Sequence, residues 1–169
     1  MTIPNPDHFL EQAARLAAGR PRQADLRRAI STAYYSLFHL CLIAVADEFV
    51  GVTHRGTSRY ALVYRGIDHR VLKDLCIEIR KSHPSSRYAP YFPSGGFNPN
   101  LQAFARTALE LQEKRHAADY DPQSRFNARD ARVDIVAGRT ALAPTATEGQ
   151  TPGVSYFRVS GVGFGPPHS

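Results

Sequence analysis

A chain of 169 residues with 43% hydrophobic content has enough material for one core and too little for two comfortable domains. No run approaches the roughly 20 apolar residues of a membrane span, because His39, Asp47 and Glu48 interrupt the longest candidate. Two cysteines, Cys41 and Cys76, are too few for a disulfide framework, and a net charge of +6 suits an anionic partner.

The opening "MTIPNPDHF" has neither the basic head nor the apolar run of a signal peptide. Both cysteines fall inside helical patterns, as buried free thiols in a reducing compartment would, so the expected location is cytoplasmic. Only Lys73, Lys81 and Lys114 are lysines; the other basic residues are arginines. Arginine's planar fork matches phosphate, which makes RNA a candidate partner. Arginine-rich coding would give the same excess.

In chain order, Asn5-Pro6 reads as a helix cap with proline in the first turn, and "DHFLEQAARLAA" carries that helix to Gly19. Arg20-Pro21 starts a second helix that runs to Gly51. A third covers 58–81, with Gly66 as the place for a bend. Asn98-Pro99 starts a fourth that ends near Tyr120. Asp121-Pro122 caps a fifth that runs to about residue 139. Between the third and fourth lies "SHPSSRYAPYFPSGGFNPN", whose Pro84, Pro90 and Pro93 forbid regular structure. From residue 143 the chain is rich in Gly, Pro, Ser and Thr and reads as a disordered tail, with "VSYFRVSGV" as a short strand lacking any identifiable mate. The expected architecture is therefore all-α: a bundle of four to five helices over 1–142 and a flexible tail over 143–169.

The second helix is apolar around most of its circumference, which belongs in the middle of a bundle. One narrow polar stripe holds Arg28, Thr32, Tyr35 and His39, within about 60° on a helical wheel. The fourth helix has an apolar stripe of Leu101, Phe104, Ala108 and Leu111, and the next position on it is Arg115. Asp119 follows one turn later. Polar groups on two central helices must find partners. The two helices are expected to meet, within one bundle or across a dimer interface, and to share a network of Arg28, Tyr35, Arg115 and Asp119.

"RRAISTAYYSLFH" followed far downstream by "LQEKRHAADYDP", with "VYRGIDHRVLKDLC" between them, resembles the HEPN superfamily of small α-helical proteins. More narrowly it resembles prokaryotic HEPN-domain proteins that carry an R-x-x-A-D-Y ending. The resemblance spans roughly residues 5 to 140. It implies a bundle of four or five helices that dimerises. Many members are metal-independent ribonucleases, often toxins paired with a small nucleotidyltransferase antitoxin; others are noncatalytic binding modules. The nuclease members carry Arg, four to six residues, then His. Arg115 matches that arginine, and Tyr120 stands where the histidine would be.

Cleaving RNA without metal requires a group that moves the 2′-hydroxyl proton and a cation that stabilises the phosphorane. Arg115 suits the second task. Tyr120, with an ordinary pKa of about 10, is a poor base. His39 on the second helix is the substitute that the sequence offers. Arg115, His39 and Tyr120 are thus the catalytic candidates, and a buried structural arginine held by Asp119 or Tyr35 is the competing reading for Arg115. A tyrosine beside the motif accepts a nucleotidyl group in some toxin members, which gives Tyr120 a second candidate role.

His69, Lys73 and Cys76 share a helical face, and a core cysteine with a surface histidine is the expected arrangement. No metal-binding motif and no phosphate-binding glycine loop is present, so neither a metal nor another cofactor is expected. Arg87 and Tyr88, amid Tyr91, Phe92 and Phe97, suit single-stranded nucleic acid by charge and stacking, unless the aromatics fold back over the end of the bundle. Arg125 and Arg129, with Arg132, line one face of the fifth helix, which is either solvated or phosphate-binding. The leading reading is a dimeric HEPN-like binding module for RNA or a nucleotidyltransferase-type partner, in a toxin–antitoxin or defence setting. A metal-independent ribonuclease toxin and a purely structural interaction protein are the alternatives.

Overall fold

Six α-helices and two short 3-10 turns, with no strand among the described residues 3–142, form the computed structural model. The 143–169 segment, including "VSYFRVSGV", lies outside the described residues. The helices are α1 (Pro6–Leu16), α2 (Gln23–Val50), α3 (Ser58–Arg65), α4 (His69–Ile79), α5 (Pro99–Tyr120) and α6 (Ala128–Leu142). The all-helical bundle matches the sequence reading, with one helix more than expected.

α2 is the hub. It packs against α1, α3, α5 and α6, while α4 packs against α5. At 28 residues it is about 42 Å long. Ala29, Ile30, Ala33, Tyr34 and Leu37 are fully shielded, as a helix apolar on most sides requires. By length and mean hydropathy α2 qualifies as a membrane span, contrary to the reading that no stretch comes close. Yet 78% of its most apolar window is buried inside the bundle, so protein occupies the place lipid would take.

Side-chain caps set the helix starts. The Asn5 side chain accepts from the Asp7 N–H at 3.0 Å, and the Asn98 side chain accepts from the Leu101 N–H at 2.8 Å. α2 stops at Gly51, whose φ of 96° suits a residue without Cβ. Just before that stop, buried Asp47 pairs with Arg55 and accepts from the Tyr60 hydroxyl at 2.9 Å, tying α3 to the end of α2.

Two boundaries differ from the sequence reading. The helix expected over 58–81 is two helices, because the Asp68 side chain accepts from the Val71 N–H at 2.8 Å and starts α4 afresh. The last helix begins at Ala128 rather than after Asp121-Pro122. The Asp121 carboxylate folds onto the Gln123 N–H at 2.9 Å and the Ser124 hydroxyl at 2.5 Å, which makes a turn. Gln23 of α2 then fixes the backbone of Phe126, donating to its carbonyl at 2.6 Å and accepting from its N–H at 3.0 Å.

Candidate functional site: a polar cluster around Arg115

α5 buries Leu101, Phe104, Ala108 and Leu111 on one side, and Arg115 continues that stripe toward the end of the helix. Its side chain is only 15% exposed. Nη2 donates to the Tyr35 hydroxyl of α2 at 3.0 Å and more weakly to the Tyr120 hydroxyl at 3.4 Å. Nε lies 2.8 Å from Asp119 Oδ2, one helical turn on. That pair is a close ion contact rather than an aligned hydrogen bond, since the Nε–H finds no acceptor in line. The guanidinium also faces both rings, 5.6 Å from the Tyr35 centroid and 5.3 Å from that of Tyr120. Burial works against the charge, but the oxygens of Tyr35, Asp119 and Tyr120 outweigh it and keep the group charged. Asp119 is itself held by the Ser31 hydroxyl of α2, which donates at 2.5 Å.

A histidine completes the cluster, and it is His69 rather than His39. The Asp68 cap makes His69 the first residue of α4. Its ring lies 4.0 Å from Phe38, 5.4 Å from Tyr34 and 5.8 Å from Tyr35, centroid to centroid. Its backbone carbonyl accepts from Gln112 of α5 at 3.0 Å. Burial, aided by the positive charge of Arg115, lowers its pKa, so it is neutral at pH 7. Nδ1 is 2.9 Å from the Tyr34 hydroxyl. Tyr34 is fully buried, and burial raises its pKa, so it keeps its proton and must place it on an acceptor. Nδ1 is that acceptor. The assignment leaves the His69 proton on Nε2, which then acts as a donor rather than a base.

His39 is elsewhere engaged. Nδ1 lies 2.6 Å from the Tyr64 hydroxyl, and the ring stacks on Phe9 at 5.0 Å. Burial, with His69 nearby, lowers its pKa. It sits one turn beyond Tyr35 on the half-buried stripe of α2 and does not contact Arg115. Tyr120 is 62% exposed and closes over Arg115 from the solvent side, with its ring tilted against His116.

Arg28 is not in the network. It is exposed, and its neighbour Arg27 makes the structural contacts instead. Arg27 donates to the carbonyls of Ala118 at 2.8 Å, Asp121 at 2.9 Å and Ser124 at 2.7 Å, holding the end of α5 and the turn after it. Arg125 lies on the loop before α6, not on a helical face, and Arg129 is exposed on α6. Arg132 is occupied in capping α1 through the Ala17 carbonyl. Arg87 stacks over Tyr88 at 5.4 Å, and both line an apolar cavity that shares no residue with the Arg115 cluster.

Among the described residues no group of three or more His, Cys, Asp or Glu side chains is gathered as for a metal ion. Cys41 and Cys76 are free and buried, and burial pushes both thiols up to about 12. Neither is a poised nucleophile.

Sequence reasoning brought together Arg115, Tyr35 and Asp119, placed His69 on the surface where the structure packs it on Phe38 and Tyr34, and left Ser31 and Tyr34 out of the network. The signal for His69 was Asp68, a residue type that caps helix starts. No protein-family model matches the chain, and no curated protein or solved structure is significantly similar to it.

Proposed function

We propose that the chain is a HEPN-like binding module that takes RNA at the Arg115 cluster and works as a dimer. One observation carries this reading: the Arg115 guanidinium of α5 and the His69 ring of α4 both flank Tyr35, which lies on the half-buried stripe of α2, and the tautomer set by Tyr34 makes His69 an N–H donor. A phosphodiester needs charge and directed donors, and its bases need aromatic faces. Exposed Tyr120 supplies such a face next to the cation. The net charge of +6 adds a general attraction for nucleic acid. A partner of nucleotidyltransferase type, in a toxin–antitoxin or defence setting, follows from the resemblance of the Arg115–Tyr120 motif.

The test is titration of a labelled, unstructured RNA with the full chain at about 50 and 200 mM salt, in EDTA, with the RNA inspected afterwards for cleavage. Expected are salt-dependent binding of intact RNA and roughly tenfold weaker binding by both Arg115→Gln and His69→Ala. Unchanged binding by both folded variants would overturn the assignment to this cluster.

Neutral His69 beside charged Arg115 favours a second reading, metal-independent ribonuclease activity. Cleavage in EDTA by the wild type, lost in a folded Arg115→Ala, would establish it. The tautomer set by Tyr34 argues for binding first, since Nε2 then offers a proton and accepts none. Neither binding nor cleavage, with loss of stability in Arg115→Ala, would make the cluster a structural pin.

A further inference from the structure

We propose that the cavity between α2, α4 and α5 binds a single-chain carboxylate amphiphile of the fatty-acid class, with its headgroup at Arg87. The cavity has a volume of about 570 Å³, within the range of small-molecule sites. It exists because the chain between α4 and α5 forms no α-helix. Pro84, Pro90 and Pro93 limit that segment to one short 3-10 turn, Ala89–Tyr91, so its wall is the edge-to-face pair Phe92–Phe97, 4.6 Å between centroids, rather than a close-packed helix. Cys41 and Cys76 add small side chains to the same lining.

The lining dictates the ligand's chemistry. Both thiols stay protonated, and their neighbours, such as Val45, Leu72 and Phe104, are hydrocarbon. A ligand with polar groups along its length would lose hydrogen bonds there, so its polarity must be confined to one end. Three of the described lining residues are charged. Glu78 is already engaged, accepting from Lys81 Nζ at 2.6 Å and from the Ser85 N–H at 2.9 Å. Glu48 is exposed on the last turn of α2. Arg87 is the one cation on the lining, and no carboxylate pairs with it among the described residues; it rests over the Tyr88 ring. A carboxylate can take two parallel hydrogen bonds from that guanidinium while its chain enters the cavity.

The probe is cis-parinaric acid, whose emission rises in an apolar site, titrated into the full chain and then displaced with decanoate, decanol or decylamine. Expected is saturation at one equivalent, with decanoate at least tenfold better than decylamine and about fourfold tighter binding per added methylene. Arg87→Glu should weaken decanoate about tenfold and leave decanol unchanged. Val45→Trp fills the cavity and should abolish the emission. If that variant does not fold, Arg87→Glu still decides, because Arg87 is exposed and outside the core. No saturable emission would overturn the proposal. So would equal displacement by all three competitors that Arg87→Glu does not alter. Emission that disappears as the chain self-associates, read by sedimentation, would assign the cavity to a second copy and overturn it as well.

Discussion

Two adjacent arginines, Arg27 and Arg28, show how a single position separates a structural cation from a solvated one. Arg27 satisfies carbonyls at the end of α5 and in the turn after it, and its truncation leaves them without donors. Arg27→Ala is expected to lose about 2–3 kcal/mol in urea unfolding, and Arg28→Ala to stay within about 0.5 kcal/mol of wild type. Equal losses would contradict the assignment. The histidines report on acid stability. Both His39 and His69 have pKa values below the ordinary 6.5, lowered mainly by burial. Below about that pH the unfolded chain binds protons that the native histidines resist, so stability falls as pH drops. Thermal melts between about pH 7 and pH 5 should show this fall, and His69→Gln should make it shallower.

At the scale of helices, two junctions can be probed separately. The Asp68 cap starts α4 and thereby sets His69 beside Tyr34 and Tyr35. Asp68→Ala should lower stability by about 1 kcal/mol in urea unfolding and weaken whatever the Arg115 cluster binds, while Asp68→Asn should preserve both. The α5–α6 junction carries Lys114 and Asp134, whose carboxyl is buried with Oδ2 unpartnered. Burial raises its pKa above the ordinary 3.8, against the pull of Lys114. As pH rises past about 3.8 the unfolded chain ionises first, so ionising Asp134 takes stability from the fold. The melting temperature of Asp134→Asn relative to wild type should therefore climb as pH rises from about 3; a constant difference would show the carboxyl to be unstrained. These junctions also mark where the sequence was readable. Arg115, Asp119 and Tyr35 needed only helical spacing and the demand that central polar groups meet. His69 depended on where α4 begins, which one cap decides inside a continuous helical pattern. Arg27 lies a single residue, or about 100°, from the stripe traced through Arg28, and its acceptors come from a turn that the Asp121-Pro122 pattern disguised as a helix start.

For the whole molecule, the two buried thiols are a gauge of global opening. Cys41 and Cys76 are 2% and 1% exposed, on different helices of the same core. A bulky charged disulfide reagent should modify both slowly and together, at the rate of global unfolding; rapid attack on either in the native state would mean that the core opens locally or that the reagent enters through the cavity both thiols line. The order in which that core is assembled follows from α2. It reaches its last residue at Val50, whereas α5, one of the helices that cover it, closes only at Tyr120. On a ribosome adding about 5–20 residues per second, roughly 70 further residues mean about 4–14 seconds in which a helix apolar on most sides waits without α5 over one of its faces. Among the described helices, α1 is the one already made when α2 emerges. The nascent chain therefore presents a long greasy helix to the folding machinery around the ribosome at every round of translation, so its yield should depend on chaperone supply and on elongation speed across residues 51–120 more than on the stability of the finished bundle.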